Sequence, residues 1–178
     1  MSAELGAACE LHEEEMLAFR RRLHANPELS GREYATTDEL VSRLQVAGLD
    51  PQVLASGTGV VCDVVGDPSG PLVVLRADID ALAMEDHTDA SYRSTTPGAA
   101  HACGHDAHTA IVLGAGLALC NVKSSLPGVV RLVFEPAEES MPGGAVEIID
   151  AGWVDGARAV FGLHCDPKVE VEIGRAHV

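Results

Sequence analysis

The stretch Leu72-Val73-Val74-Leu75-Arg76-Ala77-Asp78-Ile79-Asp80 opens with four aliphatic residues in a row and closes on two aspartates. A half-exposed strand shows a polar residue at every second position. A run apolar on both faces belongs inside a sheet that helices cover. Acidic residues straight after such a run stand where α/β sheets carry their ligand sites, at the carboxyl ends of strands. Two more runs repeat the pattern. Gly128 to Phe134 reads as a buried strand followed by Glu135-Pro136-Ala137-Glu138-Glu139, and Ala159 to His164 as a third buried strand, leading into Cys165. Shorter Val-rich pieces at 51–56 and 59–66, separated by Gly, Pro, Asp and Ser, read as further strands.

Helical patterns fill the intervals. Leu11 to Ala25 places Leu11, Met16, Phe19 and Leu23 near helical spacing, and Asn26-Pro27 stops it. Tyr34 to Ala47 turns Leu40, Val41 and Leu44 inward and ends before Gly48. Asp106 to Leu119 is rich in Ala and Leu, and Gly143 to Ala151 is a short helix; residues 83–104 are polar and irregular. Strands alternating with helices predict an α/β fold, a layered α/β/α sandwich around a largely parallel mixed sheet.

Composition narrows the classes of function. The 178 residues suit one domain, and 47% apolar content excludes wholesale disorder. With aromatics at 3%, the core has to be aliphatic. A net charge of −15 repels phosphates and anionic lipid, so nucleic acid and membrane are excluded as partners. Five cysteines, an odd number without framework spacing, favour a reducing, cytoplasmic compartment over a disulfide scaffold. The acidic start of the chain does not read as a signal peptide, and no run of about 18 apolar residues spans a bilayer.

Chemistry concentrates in three loops. In His101-Ala102-Cys103-Gly104-His105-Asp106-Ala107-His108, the Cys103/His105 pair suits one borderline-soft divalent ion, or else a buried thiol beside helix-capping groups. Glu138-Glu139 can split into a metal ligand and a general base, or form a solvated acidic turn. Asp78 and Asp80 share a side of their strand and can orient a ligand or a base, or simply form a turn. His164 at a strand end is a core histidine or a ligand. His12, His87 and His177 read as surface and His24 as structural, while the roles of His101 and His108 stay open. No nucleophile elbow, Walker loop or dinucleotide fingerprint is present.

Together these loops resemble the M20 metallopeptidase family, in its amidohydrolase branch of hippurate hydrolase, N-acyl-amino-acid amidohydrolases and auxin-conjugate hydrolases. The stretches that carry the resemblance are Arg21-Arg22-Leu23-His24-Ala25-Asn26-Pro27-Glu28-Leu29-Ser30, Leu75 to Leu82, His101 to Thr109, Pro136 to Glu139 with Gly143-Gly144-Ala145, and Gly162-Leu163-His164. The resemblance implies a zinc-peptidase-like catalytic domain that cleaves the amide bond of N-acyl amino acids. It implies Cys103, His105, Glu139 and His164 as metal ligands, Glu138 as general base, and Asp80 as an aspartate supporting the site. Two divalent ions per complete site are implied: thiolate and imidazole suit Zn²⁺, the carboxylates Mn²⁺, with Co²⁺ or Ni²⁺ as alternatives. Other readings are a non-catalytic metal-binding or interaction module, and an aminopeptidase or dipeptidase of the same superfamily. The Cys103/His105 pair, in place of an Asp-centred motif, speaks against the aminopeptidase or dipeptidase.

Two departures stand out. The family usually has Gln where this chain has Glu135, which adds a carboxylate near the metals. Members are also about twice this long, with a lid domain that dimerises and a returning segment that brings a last histidine ligand. The expectation is therefore that residues 1–172 are the N-terminal segment of a catalytic domain, inactive alone, with the lid and its homodimer contact absent. Glu172 to Val178 back-translates to GAG ATC GGA AGA GCA CAC GTC, nearly all of it a common sequencing-library adaptor, so residues 173–178 are expected to be a non-native tail.

Overall fold

The computed structural model describes residues 2–166. The expected non-native tail over 173–178, and His177 with it, lie outside the described residues. Helix α1 (Ser2–Ala25) and helix α2 (Tyr34–Val46) come first, followed by β1 (Gln52–Val53), β2 (Val60–Val65) and β3 (Leu72–Asp78). Helix α3 (His105–Asn121), β4 (Val129–Glu135), α4 (Gly144–Asp150) and β5 (Ala157–Gly162) complete the order. The five strands form one mixed sheet in the order β1-β2-β4-β3-β5. β4, β3 and β5 run parallel to one another, while β2 lies antiparallel to β4 and β1 antiparallel to β2. The parallel half is the half that builds the site, because its three strands end on one edge.

The two faces of the sheet have separate cores. On one, Leu75, Ala77, Leu132, Phe134, Val60 and Cys62 pack against Phe19 and Leu23 of α1, Leu40 and Leu44 of α2, and Leu113 and Leu117 of α3. On the other, Val61, Val74 and Val133 meet Ile148 of α4 and the partly buried Trp153. The core is aliphatic, as the composition requires, except that Phe19 and Phe134 sit fully buried at its centre. A fully buried Leu or Phe contributes on the order of 1.5–3 kcal/mol.

Several expectations need correction. Helix α1 begins at Ser2 rather than Leu11. Its first turns are rich in Ala and Glu, which favour helix without any apolar periodicity to reveal it. Leu11 is 77% exposed, and the buried line of α1 runs through Ala8, Phe19 and Leu23. β5 is not a buried strand: among the described residues it pairs only with β3, and Val160 and Phe161 are about half exposed at 53% and 51%. It ends at Gly162, so His164 lies in the segment beyond it. Leu132 is fully buried, while Val73, Leu75 and Val130 are half-buried.

Candidate metal centre

Asp78 and Asp80 leave the end of β3, Glu135 and the turn Pro136–Glu139 leave β4, and His164 follows β5. The loop 101–104 and the first turn of α3 close the cluster from one side. Gly104 at its joint has φ 87°, a left-handed conformation that an L side chain rarely adopts.

His105 stands at the centre and is fully buried. Its Nδ1 lies 2.9 Å from the backbone oxygen of Asp80 and 3.2 Å from Asp80 Oδ1. The Nδ1–H therefore points at Asp80, and Nε2 faces the cluster with no hydrogen-bond partner among the described residues. Around that nitrogen stand Asp78 Oδ1 at 3.6 Å, Glu139 Oε1 at 3.7 Å and Glu138 Oε2 at 3.9 Å. The donor atoms of Cys103, His105 and Glu139 all lie within 4.8 Å of one another. Cys103 Sγ is 3.5 Å from His164 Nε2, and His164 is exposed rather than a core histidine. Three separate loops thus bring the four sequence-predicted ligands together. Glu138 lies beside them, and Asp80 stands behind His105.

The Glu138-Glu139 turn is held from a residue that the sequence did not flag. Ala137 has φ 54°, and its N–H donates to Glu33 Oε1 at 2.7 Å. The same oxygen accepts from Gly31 N–H at 2.9 Å, and Glu33 is fully buried at the start of α2. No local pattern marks such a glutamate, because its partners are backbone amides brought together by folding.

The electrostatics favour a cation. Burial raises the Glu138 carboxyl above its ordinary value, and the neighbouring Glu139 and Asp78 charges raise it further. Burial, a hydrogen bond to Glu139 and the surrounding carboxylates push the Cys103 thiol up to about 11. Burial alone would raise Asp80, but the His105, Ser30 and Glu139 N–H hydrogen bonds outweigh it and hold the carboxyl down at about 2. A buried imidazole nitrogen without a partner, a thiol and two carboxylates around it form the donor set of a borderline divalent ion, so the residues present fit a metal. Glu135 adds no free charge to the cluster. Its Oε2 accepts from Arg76 Nε at 2.6 Å, and Arg76 Nη1 reaches Asp78 Oδ2 at 2.7 Å.

The residues left open by the sequence find places. Asp78 Oδ1 accepts from His108 Nδ1 at 2.6 Å, and His108 Nε2 accepts from the backbone N–H of Cys165 at 2.7 Å. His24 is structural: its Nδ1 lies 2.8 Å from Asp106 Oδ2, which also accepts from Arg20, so α1 is pinned to the start of α3. His101 is buried with neither ring nitrogen bonded among the described residues, and burial lowers it to about 4, so it stays neutral.

The profile of peptidase family M20/M25/M40 matches residues 74–177. A Rhodococcus jostii protein provisionally named glutamate–cysteine ligase 2-3 is 49% identical over 91% of this chain, but the match spans only 20% of that protein, so its name bears little on the matched segment. The N-acetyl-L-cysteine deacetylase of Bacillus subtilis is 45% identical over 89% of this chain and 38% of its own length. The solved structure of Bacillus subtilis YXEP, described as a dinuclear metal binding peptidase from the M20 family, superposes with a TM-score of 0.85 at 36% identity. It aligns with 91% of this chain and 46% of its own. The chain thus spans between a fifth and just under half of these proteins. No helix among the described residues is long and apolar enough to cross a membrane.

Proposed function

This chain belongs to peptidase family M20/M25/M40, and from that premise we propose that it supplies the metal centre of a hydrolase cleaving the amide bond of N-acyl amino acids. The observation that carries the reading is the partnerless, buried His105 Nε2, ringed by Cys103, Glu139 and Glu138. The name of the deacetylase relative, acting on an N-acyl amino acid, supports the substrate class. The Cys103/His105 pair supports the amidohydrolase branch over aminopeptidases.

Cys103, His105, Glu139 and His164 would hold the ion, Zn²⁺ or Mn²⁺. Such an ion supplies Lewis acidity, acidifying water and polarising a carbonyl oxygen. This chain's residues do the rest. Asp80 keeps His105 in the tautomer whose Nε2 is free to ligate. Glu138, more exposed than Glu139 and raised above its ordinary value, takes a proton from water at Oε2. The hydroxide adds to the acyl carbon, the C–N bond breaks, and Glu138 returns the proton to the departing amine.

Two variants test this division. Glu138→Gln should keep metal uptake by the chain, read by equilibrium dialysis, and lower turnover of N-acetyl amino acids by the whole protein roughly 10²–10⁴-fold. Glu139→Gln should lose metal as well. Equal metal loss in both would contradict the assignment.

A further inference from the structure

We propose that His108 is a positioning residue for the ligand His164: oriented by Asp78, its ring holds the backbone amide of Cys165 and so fixes the segment that carries His164. The proposal rests on the reading of the cluster as a metal centre.

Both nitrogens of His108 are engaged. A nitrogen that accepts from a backbone N–H carries no proton, so the Nε2···H–N contact to Cys165 at 2.7 Å requires the ring proton on Nδ1. That proton points at Asp78 Oδ1, 2.6 Å away. The donor atoms of Asp78, His105 and His108 fall within 4.8 Å of one another. A ligand role for His108 is nevertheless disfavoured, because one nitrogen faces a hydrogen and the other bears one. Asp78 is itself held: Arg76 donates to its other carboxylate oxygen at 2.7 Å, and Arg76 is anchored on Glu135 of β4. A line of hydrogen bonds therefore runs from β4 through β3 and α3 to Cys165.

That line ends where the sheet stops supporting the chain. The β3–β5 ladder closes at Arg76 opposite Gly162, two residues before His164. Beyond it the segment is exposed, yet the Cys165 amide is tied to a fully buried ring. The approach is close. A Cβ at Gly104, between the two ligands Cys103 and His105, would lie 3.0 Å from both Cβ and Sγ of Cys165. The His108 ring centroid lies 5.5 Å from that of His105 and 5.5 Å from that of His164. One buried imidazole thus sets the separation of two ligands that come from different elements.

Titration of the metal-free chain with Co²⁺ tests this, read through the thiolate-to-cobalt absorption and the visible d–d bands. His108→Leu should weaken Co²⁺ binding by roughly 10–100-fold and alter the d–d pattern. His108→Gln should restore affinity to within several-fold, since its amide can donate to Asp78 and accept from Cys165. His164→Ala should weaken binding too, and adding His108→Leu to it should cost little more. Unchanged affinity in His108→Leu, or a full additional loss on top of His164→Ala, would overturn the proposal while leaving the metal centre standing. No thiolate band in the parent chain would overturn both. Should His108→Leu not fold, the parent chain still decides. Long-range ¹H–¹⁵N spectra should show His108 as the Nδ1–H tautomer with a slowly exchanging Cys165 amide, and an Nε2–H tautomer would overturn the proposal.

Discussion

Asp80 grips His105 at two points: its backbone oxygen lies 2.9 Å and its Oδ1 3.2 Å from the same ring nitrogen. The other carboxylate oxygen accepts from the Ser30 hydroxyl at 2.6 Å and from the Glu139 N–H at 3.0 Å. One carboxylate thus sets the direction of one proposed ligand and the backbone of another. On the proposed reading, Asp80 acts by positioning these groups. Asp80→Ala should lower metal affinity roughly 10–100-fold. Ser30→Ala, which removes a single hydrogen bond, should lower it roughly fivefold. Competition with a chromophoric chelator measures both, and parent-like affinity in Asp80→Ala would refute the role.

Glu33 makes a second prediction. Its Oε1 takes two backbone N–H groups, from Gly31 and from the left-handed Ala137. A hydrogen bond contributes about 0.5–1.5 kcal/mol net, and removing the acceptor leaves two donors unpaired at about 1–3 kcal/mol each. Glu33→Ala should therefore destabilise the chain by about 3 kcal/mol or more in urea unfolding. Glu33→Gln, which keeps an oxygen in place, should cost clearly less. Equal costs would mean that the oxygen is not what holds the turn.

These contacts mark the boundary of what the sequence discloses. The runs Leu72–Leu75 and Val129–Phe134 announce strands because apolar residues fall on both faces, with Arg131 the one polar position in either run. The cluster Cys103, His105, Glu138 and Glu139 is legible because metal-binding residue types crowd into short loops at strand ends. β5 misleads for a physical reason: Val160 and Phe161 look buried by composition, but burial depends on neighbours, and among the described residues this strand has one. His108 and Glu33 are silent locally because their partners are backbone groups or side chains that only folding brings near. Cys165 is 57 residues from His108. The antiparallel β2–β4 pairing likewise leaves no trace in either strand's own pattern.

Gly116 and Leu132 give a test of packing rather than chemistry. A Cβ on Gly116, inside α3, would come 2.3 Å from Leu132 Cδ1 of β4. Ala normally gains about 1 kcal/mol over Gly in a helix. Overpacking a filled core costs about 1–3 kcal/mol, so Gly116→Ala should be net destabilising here. Leu132→Ala alone should cost about 2–5 kcal/mol. In the double variant the added methyl partly fills the space left by the leucine, so the two losses should fall short of additive by at least about 0.5 kcal/mol. Strict additivity in chemical denaturation would mean that helix and strand do not meet at this point.

The last prediction concerns alkaline pH and lies away from the metal centre. Cys62 sits in β2 opposite Leu132, 2% exposed. Burial, and then the nearby Asp63, Cys120 and Asp50, push its thiol from an ordinary value of 9.0 up to about 12. In the unfolded chain the thiol returns to its ordinary value. Between about pH 9 and pH 12 the folded chain therefore keeps a proton that the unfolded chain has released. The unfolded state binds fewer protons, so stability falls as pH rises, and the contribution is fully present only below about pH 9. A rise from 9.0 to about 12 corresponds to at most about 4 kcal/mol across the whole window. Cys62→Val, close in volume and apolar, should cost less than about 1.5 kcal/mol at neutral pH. Above pH 9 the variant should lose stability more slowly than the parent, so the two curves converge or cross by pH 10.5. Cys103, Cys120 and Cys165 are raised as well and give both proteins a common slope, so the informative quantity is the difference between the curves. Urea unfolding from pH 7 to 10.5 measures it, and parallel curves throughout would show that Cys62 does not hold its proton in the folded chain.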